Sequence, residues 1–330
     1  MQTSVRRLSA AASLVLTLCA CAHAPVPLPA VAPGVSWLAG RFEPGEQPDG
    51  NSVVFEAPDG LIIFDTGRSA AHAERLVAAV KADGRPLKAI VNSHWHLDHI
   101  GGNASLKAAF GSPPVLASGA IEAARTGFLA NYRRQIDERL ATLPSEAVER
   151  HALGHELEIM DARAASTPDV TVDATQTRGI AGGPFVVGLA RQAVTAGDVW
   201  LYQPHARVLA SGDLVTLPAP LFDTACPAQW QQVLDRLAEL DFEWLVPGHG
   251  APMRRAGFDT YRQAYGRLLQ CAASDATPQH CVDGWIADAR TLFPPQDDKL
   301  ARGLLGYYLE NHLRGPKAQQ AFQRLGCPAA

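Results

Sequence analysis

The segment NSHWHLDHIGGN, residues 92–103, constrains this chain more than any other, because three histidines and an aspartate fall within six positions directly after the apolar run Ala89-Ile-Val91. A short apolar run that ends in a polar, glycine-rich loop reads as a buried strand reaching a functional edge. Alternate residues of an extended chain share a face, so His94 and His96 point the same way across Trp95, while Asp98 and His99 follow where the chain turns toward Gly101-Gly102. Imidazole and carboxylate are the ordinary donors for zinc and its neighbours. H-x-H-x-D-H therefore predicts two sets of metal ligands on one loop, in a chain that has only 11 histidines in 330 residues.

The flanking sequence supplies the sheet such a strand needs. Residues 52–67, SVVFEAPDGLIIFDTG, are two apolar runs separated by Pro58-Asp59-Gly60, a hairpin signal. A helix with Leu76, Val77 and Val80 on one stripe follows, then the strand at 89–91, the histidine loop and a strand at Val115-Leu-Ala117. Strand and helix in alternation predict α/β layers with helices outside. Residues 119 to about 165 break that rhythm as a helical insertion, rich in charge and alanine. Strands resume at Val170-Thr-Val172, Phe185-Val-Val187, Val199-Trp-Leu-Tyr202 and Val208-Leu-Ala210. A helix over 228–240 then places Trp230, Val233, Leu234 and Leu237 on one stripe, and a strand at Trp244-Leu-Val246 follows. Residues 257–330 read as an α-helical C-terminal extension of a main domain at 36–256.

The start of the chain reads as an address. Arg6-Arg7 precede an apolar stretch, Leu8 to Leu18, far shorter than the ~20 residues of a spanning helix. Leu18-Cys19-Ala20-Cys21 is similar to a bacterial lipobox, and Cys21 fits the lipidated position better than Cys19, which follows a bulky leucine. Cleavage after Ala22 or Ala24 is the alternative. The expectation is a signal peptide at 1–21, a proline-rich tether at 22–35, export to the periplasm and a membrane contact through a lipid on Cys21. Export places Cys226, Cys271, Cys281 and Cys327 in an oxidising compartment. Three pairings are open to them; Cys271 and Cys281 flank a polar, turn-like stretch and are expected to pair, which leaves Cys226 and Cys327 for a second bridge. A formal net charge of -4 argues against a nucleic-acid partner. The expected partner is a small-molecule substrate, and no protein partner is predicted.

The H-x-H-x-D-H loop, Asp65 in IIFDTG, Asp213 in ASGDLV and His249 in VPGHG occur in the order of the metallo-β-lactamase superfamily of hydrolases, which this chain resembles. The resemblance implies a four-layer αββα sandwich with two metals at one edge: His94 and His96 on the first, Asp98, His99 and His249 on the second, and Asp213 between. It implies zinc, one ion or two, with iron and manganese served by similar donors. Asp65 is expected behind a ligand as a supporting partner, or as a strand-end aspartate capping the turn into Gly67. One position departs from the family. Its histidine before T-x-G-D is Val194 here, in RQAVTAGDVW, so the first metal lacks its third imidazole. Gln192, two residues earlier, is a candidate for a weak amide ligand. His205 reads as a solvated loop residue, and His151 and His155 reach the site only if the insertion folds over it.

These residues predict an exported metal-dependent hydrolase in which a metal-bound hydroxide attacks an ester, lactone, amide or phosphoester, with Asp98 orienting it. Because true metallo-β-lactamases generally carry cysteine or serine at the bridging position, Asp213 resembles the thioesterase, lactonase and phosphodiesterase branches instead. Residues 214–227, LVTLPAPLFDTACP, read as core or as pocket lining. The rival reading is a catalytically degenerate member that binds a metal or ligand, and Val194 favours it. A third, an iron-dependent oxygenase, rests on the two-histidine, one-carboxylate set left to the first metal.

Overall fold

The computed structural model of the chain describes residues 27–41 and 47–328. The leader, Cys21 and the first part of the proline-rich run lie outside those residues. Among the described residues, thirteen strands form two sheets. The first holds β1 (Ala30–Ala32), β2 (Val35–Leu38), β3 (Ser52–Ala57), β4 (Gly60–Phe64), β5 (Leu87–Val91), β6 (Val115–Ala117) and β7 (Val170–Thr171), side by side in chain order. Pairing is antiparallel from β1 to β4 and parallel from β4 to β7. The second holds β8 (Gln176–Ile180), β9 (Gly183–Ala190), β10 (Asp198–Gln203), β11 (Val208–Thr216), β12 (Trp244–His249) and β13 (Met253–Arg254), antiparallel except where β11 meets β12.

Side-chain alternation along these strands builds the layers. Phe55, Ile62 and Val91 of the first sheet meet Phe185, Leu201 and Val246 of the second in a core between the sheets, with the rings of Phe55 and Phe185 edge to face at 5.7 Å. Their neighbours Val54, Ile63 and Ile90 face the other way, onto Leu76, Val80 and Leu106 of the helices Ala70–Asp83 and Asn103–Ala109. Leu209 and Leu245, on the outer face of the second sheet, share a core with Trp230 and with Phe258, Tyr261, Tyr265 and Trp285 of the C-terminal helices. Helix, sheet, sheet, helix is the expected αββα order.

The C-terminal helices start where the sequence dictates. Thr277 caps the helix Pro278–Asp288 by accepting from the His280 N–H, with proline at the first helical position. Disulfides join Cys271 to Cys281 and Cys226 to Cys327, the expected pairs. Leu217 and Phe222, weighed above between core and pocket, are core: Phe222 is buried against Trp230, Tyr265 and Tyr308.

Two expectations need correction. The proline-rich run is not a tether throughout, because Ala30–Ala32 is the edge strand of the first sheet and Val35–Leu38 pairs between it and β3, with Val31 and Val35 buried. The prolines fall outside both strands, Pro29 before β1 and Pro33 in the turn between β1 and β2, so no ladder N–H is lost to them. The strand β8 was not anticipated, since Gln176–Ile180 carries a polar, glycine-containing pattern. The helical insertion between β6 and β7 comprises Ala120–Thr126, Phe128–Thr142, Glu149–Asp161 and Arg163–Ser166. Its Ile121, Leu129 and Ile159 pack on Trp95, Leu97 and Ile100, so the insertion rests on the histidine loop itself.

Candidate metal centre

Four strand ends of the two sheets converge on one rim. Asp65 follows β4, His94 to His99 follow β5, Asp213 lies near the end of β11 and His249 closes β12. Two glycines permit the approach. A Cβ on Gly248 would stand 2.0 Å from Asp213 Oδ1, and one on Gly212 would meet the Ser93 Cβ at 2.3 Å, with Gly212 in the left-handed region (φ 53°). Asn51, at the head of β3, ties the sheets together by donating to the carbonyls of Pro247 and Gly250 on either side of His249.

The side chains fall into two groups of three, His94 with His96 and Asp213, and Asp98 with His99 and His249; within each, one donor atom per residue lies within 4.8 Å of the others. Asp213 faces both. Its Oδ1 is 3.1 Å from His99 Nε2 and 3.5 Å from His249 Nε2, while Oδ2 is 3.7 Å from His94 Nε2. Asp98 Oδ2 is 3.1 Å from His249 Nε2 and 3.5 Å from His99 Nε2. Among the described residues, four buried atoms here have no hydrogen-bond partner: Nε2 of His94, His99 and His249, and Oδ1 of Asp213. Buried polar atoms are normally satisfied, so four orphans facing one another are the signature of a site built for cations.

The opposite ring nitrogens are fully engaged. Asp65 Oδ1 accepts from the Ser93 N–H (2.7 Å), and Oδ2 accepts from the Ser93 hydroxyl (2.7 Å) and from His99 Nδ1 (2.8 Å). Since the Ser93 hydrogen is spent on Asp65, its Oγ accepts from His94 Nδ1 at 2.9 Å. Both imidazoles thus carry hydrogen on Nδ1 and aim Nε2 at the cluster, the arrangement by which outer partners orient metal-ligating histidines. Asp65 is fully buried behind His99 and Ser93.

Electrostatics agree with a cation site. Burial opposes charge on His99, but the carboxylates of Asp213, Asp98 and Asp65 outweigh it and raise that pKa well above the ordinary imidazole value. Burial likewise opposes charge on His249, where Asp213 and Asp98 prevail. Asp98 and Asp213 are held below the usual carboxylate range, chiefly by His99, against the burial that would raise them. Burial keeps His94 and His96 neutral and able to donate a lone pair. Positive charge is thus favoured where the two carboxylates face the rings.

Sequence reasoning missed a buried ion pair behind Asp98. Arg68, two residues beyond the Thr66 that follows Asp65, lies 3.5 Å from Asp98 Oδ1 and donates to both oxygens of Glu156, one at 2.6 Å. Glu156 is buried on the insertion and also accepts from the Tyr132 hydroxyl (3.3 Å). No motif marks this pair, because its members are 88 positions apart. A second unannounced cluster, Ser52 Oγ at 2.8 Å from His72 Nε2 with Asp49 4.0 Å beyond, is sealed in the interior and offers no nucleophile to solvent.

A family model described as the metallo-beta-lactamase superfamily matches residues 46–249. The chain belongs to that superfamily. Among relatives, the linear primary-alkylsulfatase of a Pseudomonas species is 30% identical over 222 residues, covering 61% of this chain and 41% of that protein. The alpha subunit of the 2,4-dinitroanisole O-demethylase of a Nocardioides species is 23% identical over 227 residues, covering 67% and 58%. The chain thus spans less than two thirds of either relative. Two solved structures share the fold. A metallo-beta-lactamase from Pontibacter korlensis has a TM-score of 0.53 at 22% identity, covering 72% of this chain and 98% of its own. The mono-zinc form of the metallo-beta-lactamase FIM-1 from Pseudomonas aeruginosa has a TM-score of 0.52 at 15% identity, covering 74% and 96%.

Within this superfamily member the departure at Val194 is accommodated by packing. Its side chain is buried in the core beneath the second sheet, and its N–H donates to Asp198 Oδ2 at 3.0 Å. Gln192, weighed as a weak ligand, has its amide nitrogen on the Gly326 carbonyl at 2.7 Å, toward the C-terminal segment. The reason is its backbone: φ of 54° breaks the extended geometry that would have set it on one face with Val194. His205 and His151 are exposed, and His155 meets the Arg68 carbonyl (Nε2 to O 3.0 Å), so none of the three joins the cluster.

Proposed function

We propose that the chain is an exported, metal-dependent hydrolase of esters, lactones, amides or phosphoesters, a class that the likeness to an alkylsulfatase extends to sulfate esters. The observation that carries this reading is the set of four orphaned buried atoms on His94, His99, His249 and Asp213. His94, His96 and Asp213 would hold one ion, and Asp98, His99 and His249 a second, with zinc matching the imidazole-rich donor set. Bound there, such ions supply a nucleophile at neutral pH by lowering the pKa of water and polarise the oxygen of the scissile group.

The chain's own residues do the rest. Arg68 holds Asp98 Oδ1 while Oδ2 faces His249, which fixes the carboxylate so that it can accept a hydrogen bond from the attacking water and set its direction. Asp65 and Ser93 lock two rings before substrate arrives. Phe128, which heads the second helix of the insertion, is 45% exposed, with its ring 6.4 Å from His96 and 5.3 Å from Trp95. An exposed aromatic beside the cluster suits a substrate with an apolar group next to the cleaved bond.

The test is metal content together with hydrolysis of lactone, thioester, β-lactam, phosphodiester and alkyl sulfate panels, for the chain and its Val194→His variant. Chelator-sensitive hydrolysis of one panel supports the reading. Protein free of metal and inert on every panel overturns it. The rival, a degenerate binding member, is favoured by Val194 and would appear as bound metal without turnover until V194H restores it. Export by way of Cys21 is part of the proposal, and the two disulfides suit an oxidising compartment. Incorporation of labelled palmitate that Cys21→Ala abolishes is the expected result.

A further inference from the structure

Two of the three histidines on the loop after β5 have their rings fixed from behind by Asp65 and Ser93, which leaves His96 to be explained. Its Nε2 lies 3.1 Å from Oγ1 of Thr224, a residue beyond β11 that is 6% exposed. The same Oγ1 lies 2.8 Å from the carbonyl oxygen of Val194. We propose that Thr224 is a positioning residue for His96, anchored by the backbone carbonyl of Val194, so that His96 turns Nδ1 toward the first metal. The metal clause of this proposal rests on the reading given above; the hydrogen-bond clause does not.

The direction of each bond follows from what its atoms can do. A carbonyl oxygen only accepts, so the Thr224 hydroxyl spends its one hydrogen on Val194. Toward His96 it can only accept, and Nε2 must carry the hydrogen. A neutral imidazole has one N–H, so Nδ1 is left as the lone pair. The anchor is rigid. The Val194 N–H and the Thr195 N–H and hydroxyl all donate to Asp198, and the Cys226 N–H donates to the Ala193 carbonyl at 2.8 Å. On the other flank of Thr224, Asp223 accepts from the Tyr308 hydroxyl at 2.5 Å. Where the superfamily resemblance expects a third imidazole, this chain uses the backbone of that position to orient the second one.

The test uses the full chain with labelled histidine, read by long-range proton–nitrogen correlation without metal, and then by zinc titration against a chromophoric chelator. In the unaltered chain His96 is expected as the Nε2–H tautomer. Thr224→Ser should keep that tautomer and the metal affinity, while Thr224→Val should mix the tautomers and weaken one metal site by about ten- to a hundredfold, leaving the other within about twofold. His96 found as the Nδ1–H tautomer in the unaltered chain, a result that needs no variant to fold, would overturn the proposal. So would a T224V protein with both tautomer and affinity unchanged. A chain that takes up no zinc yet shows the tautomer and its loss in T224V would overturn the metal reading while supporting the positioning of His96.

Discussion

Replacing Asp65 by asparagine changes one atom and should reverse two imidazoles. The backbone N–H of Ser93 requires an acceptor 2.7 Å away, so the amide oxygen takes the place of Oδ1 and the amide nitrogen that of Oδ2. An N–H group then faces His99 Nδ1, where an acceptor stood at 2.8 Å, and His99 must receive there and carry its hydrogen on Nε2. The same N–H group faces Ser93 Oγ, which is freed to donate to His94 Nδ1 and reverses that ring too. Each reversal sets a hydrogen in place of a lone pair in one of the two ligand groups. Outer partners of metal-ligating histidines are worth about ten- to a hundredfold in affinity, or about 1.4–2.7 kcal/mol per site. Zinc titration of D65N against a competing chelator should therefore show both sites weakened by that amount. A variant with only the His99 site weakened would refute the relay through Ser93, and one with neither weakened would refute the orienting role of Asp65 altogether.

Arg68→Met strands the buried Glu156 carboxylate without its partner and should cost about 3–5 kcal/mol in denaturant unfolding, whereas a loss below about 1 kcal/mol would mean that the pair is solvated. Burial lowers the His72 pKa to about 4, so the native state binds fewer protons there than the unfolded chain. Stability is then full above pH ~6.5 and falls by about 3 kcal/mol as pH drops to 4, a slope that His72→Gln should flatten and that an unchanged acid profile would contradict. Phe128→Ala should raise KM for substrates with a long apolar group several-fold and leave short ones within about twofold; equal effects on both would remove Phe128 from the binding surface. Opening the Cys226–Cys327 bridge, which closes a span of 101 residues, should destabilise by about 2–4 kcal/mol and more than opening Cys271–Cys281, with its separation of 10; the reverse order in thermal melts would contradict the loop-entropy argument.

The sequence was most legible where one residue type has few other uses. Histidines at alternate positions after a buried strand announced a metal site, and apolar runs punctuated by Pro58-Asp59-Gly60 announced the hairpin of β3 and β4. Cysteines restricted to four in the body of the chain left few pairings, and both formed. Less was legible where the partner lies far along the chain. Nothing local distinguishes Arg68 or Glu156 from the other charges of the surface, and only folding of the insertion onto Trp95, Leu97 and Ile100 brings them behind Asp98. Thr224 escaped for a related reason, since a threonine in a proline-rich loop reads as a turn residue until the Val194 carbonyl appears beside it. Gln192 lies off the face of Val194 because the chain is left-handed at a position whose sequence gives no sign of it.

On this reading cations sit between His94, His96 and Asp213 and between Asp98, His99 and His249. Anomalous diffraction at the zinc edge, on crystals of the zinc-loaded protein, decides whether they do. The expected map has a peak in the second group and a second, weaker peak in the first, with Asp213 reaching both. Diffraction that locates zinc elsewhere, or finds none within reach of these side chains, would contradict it.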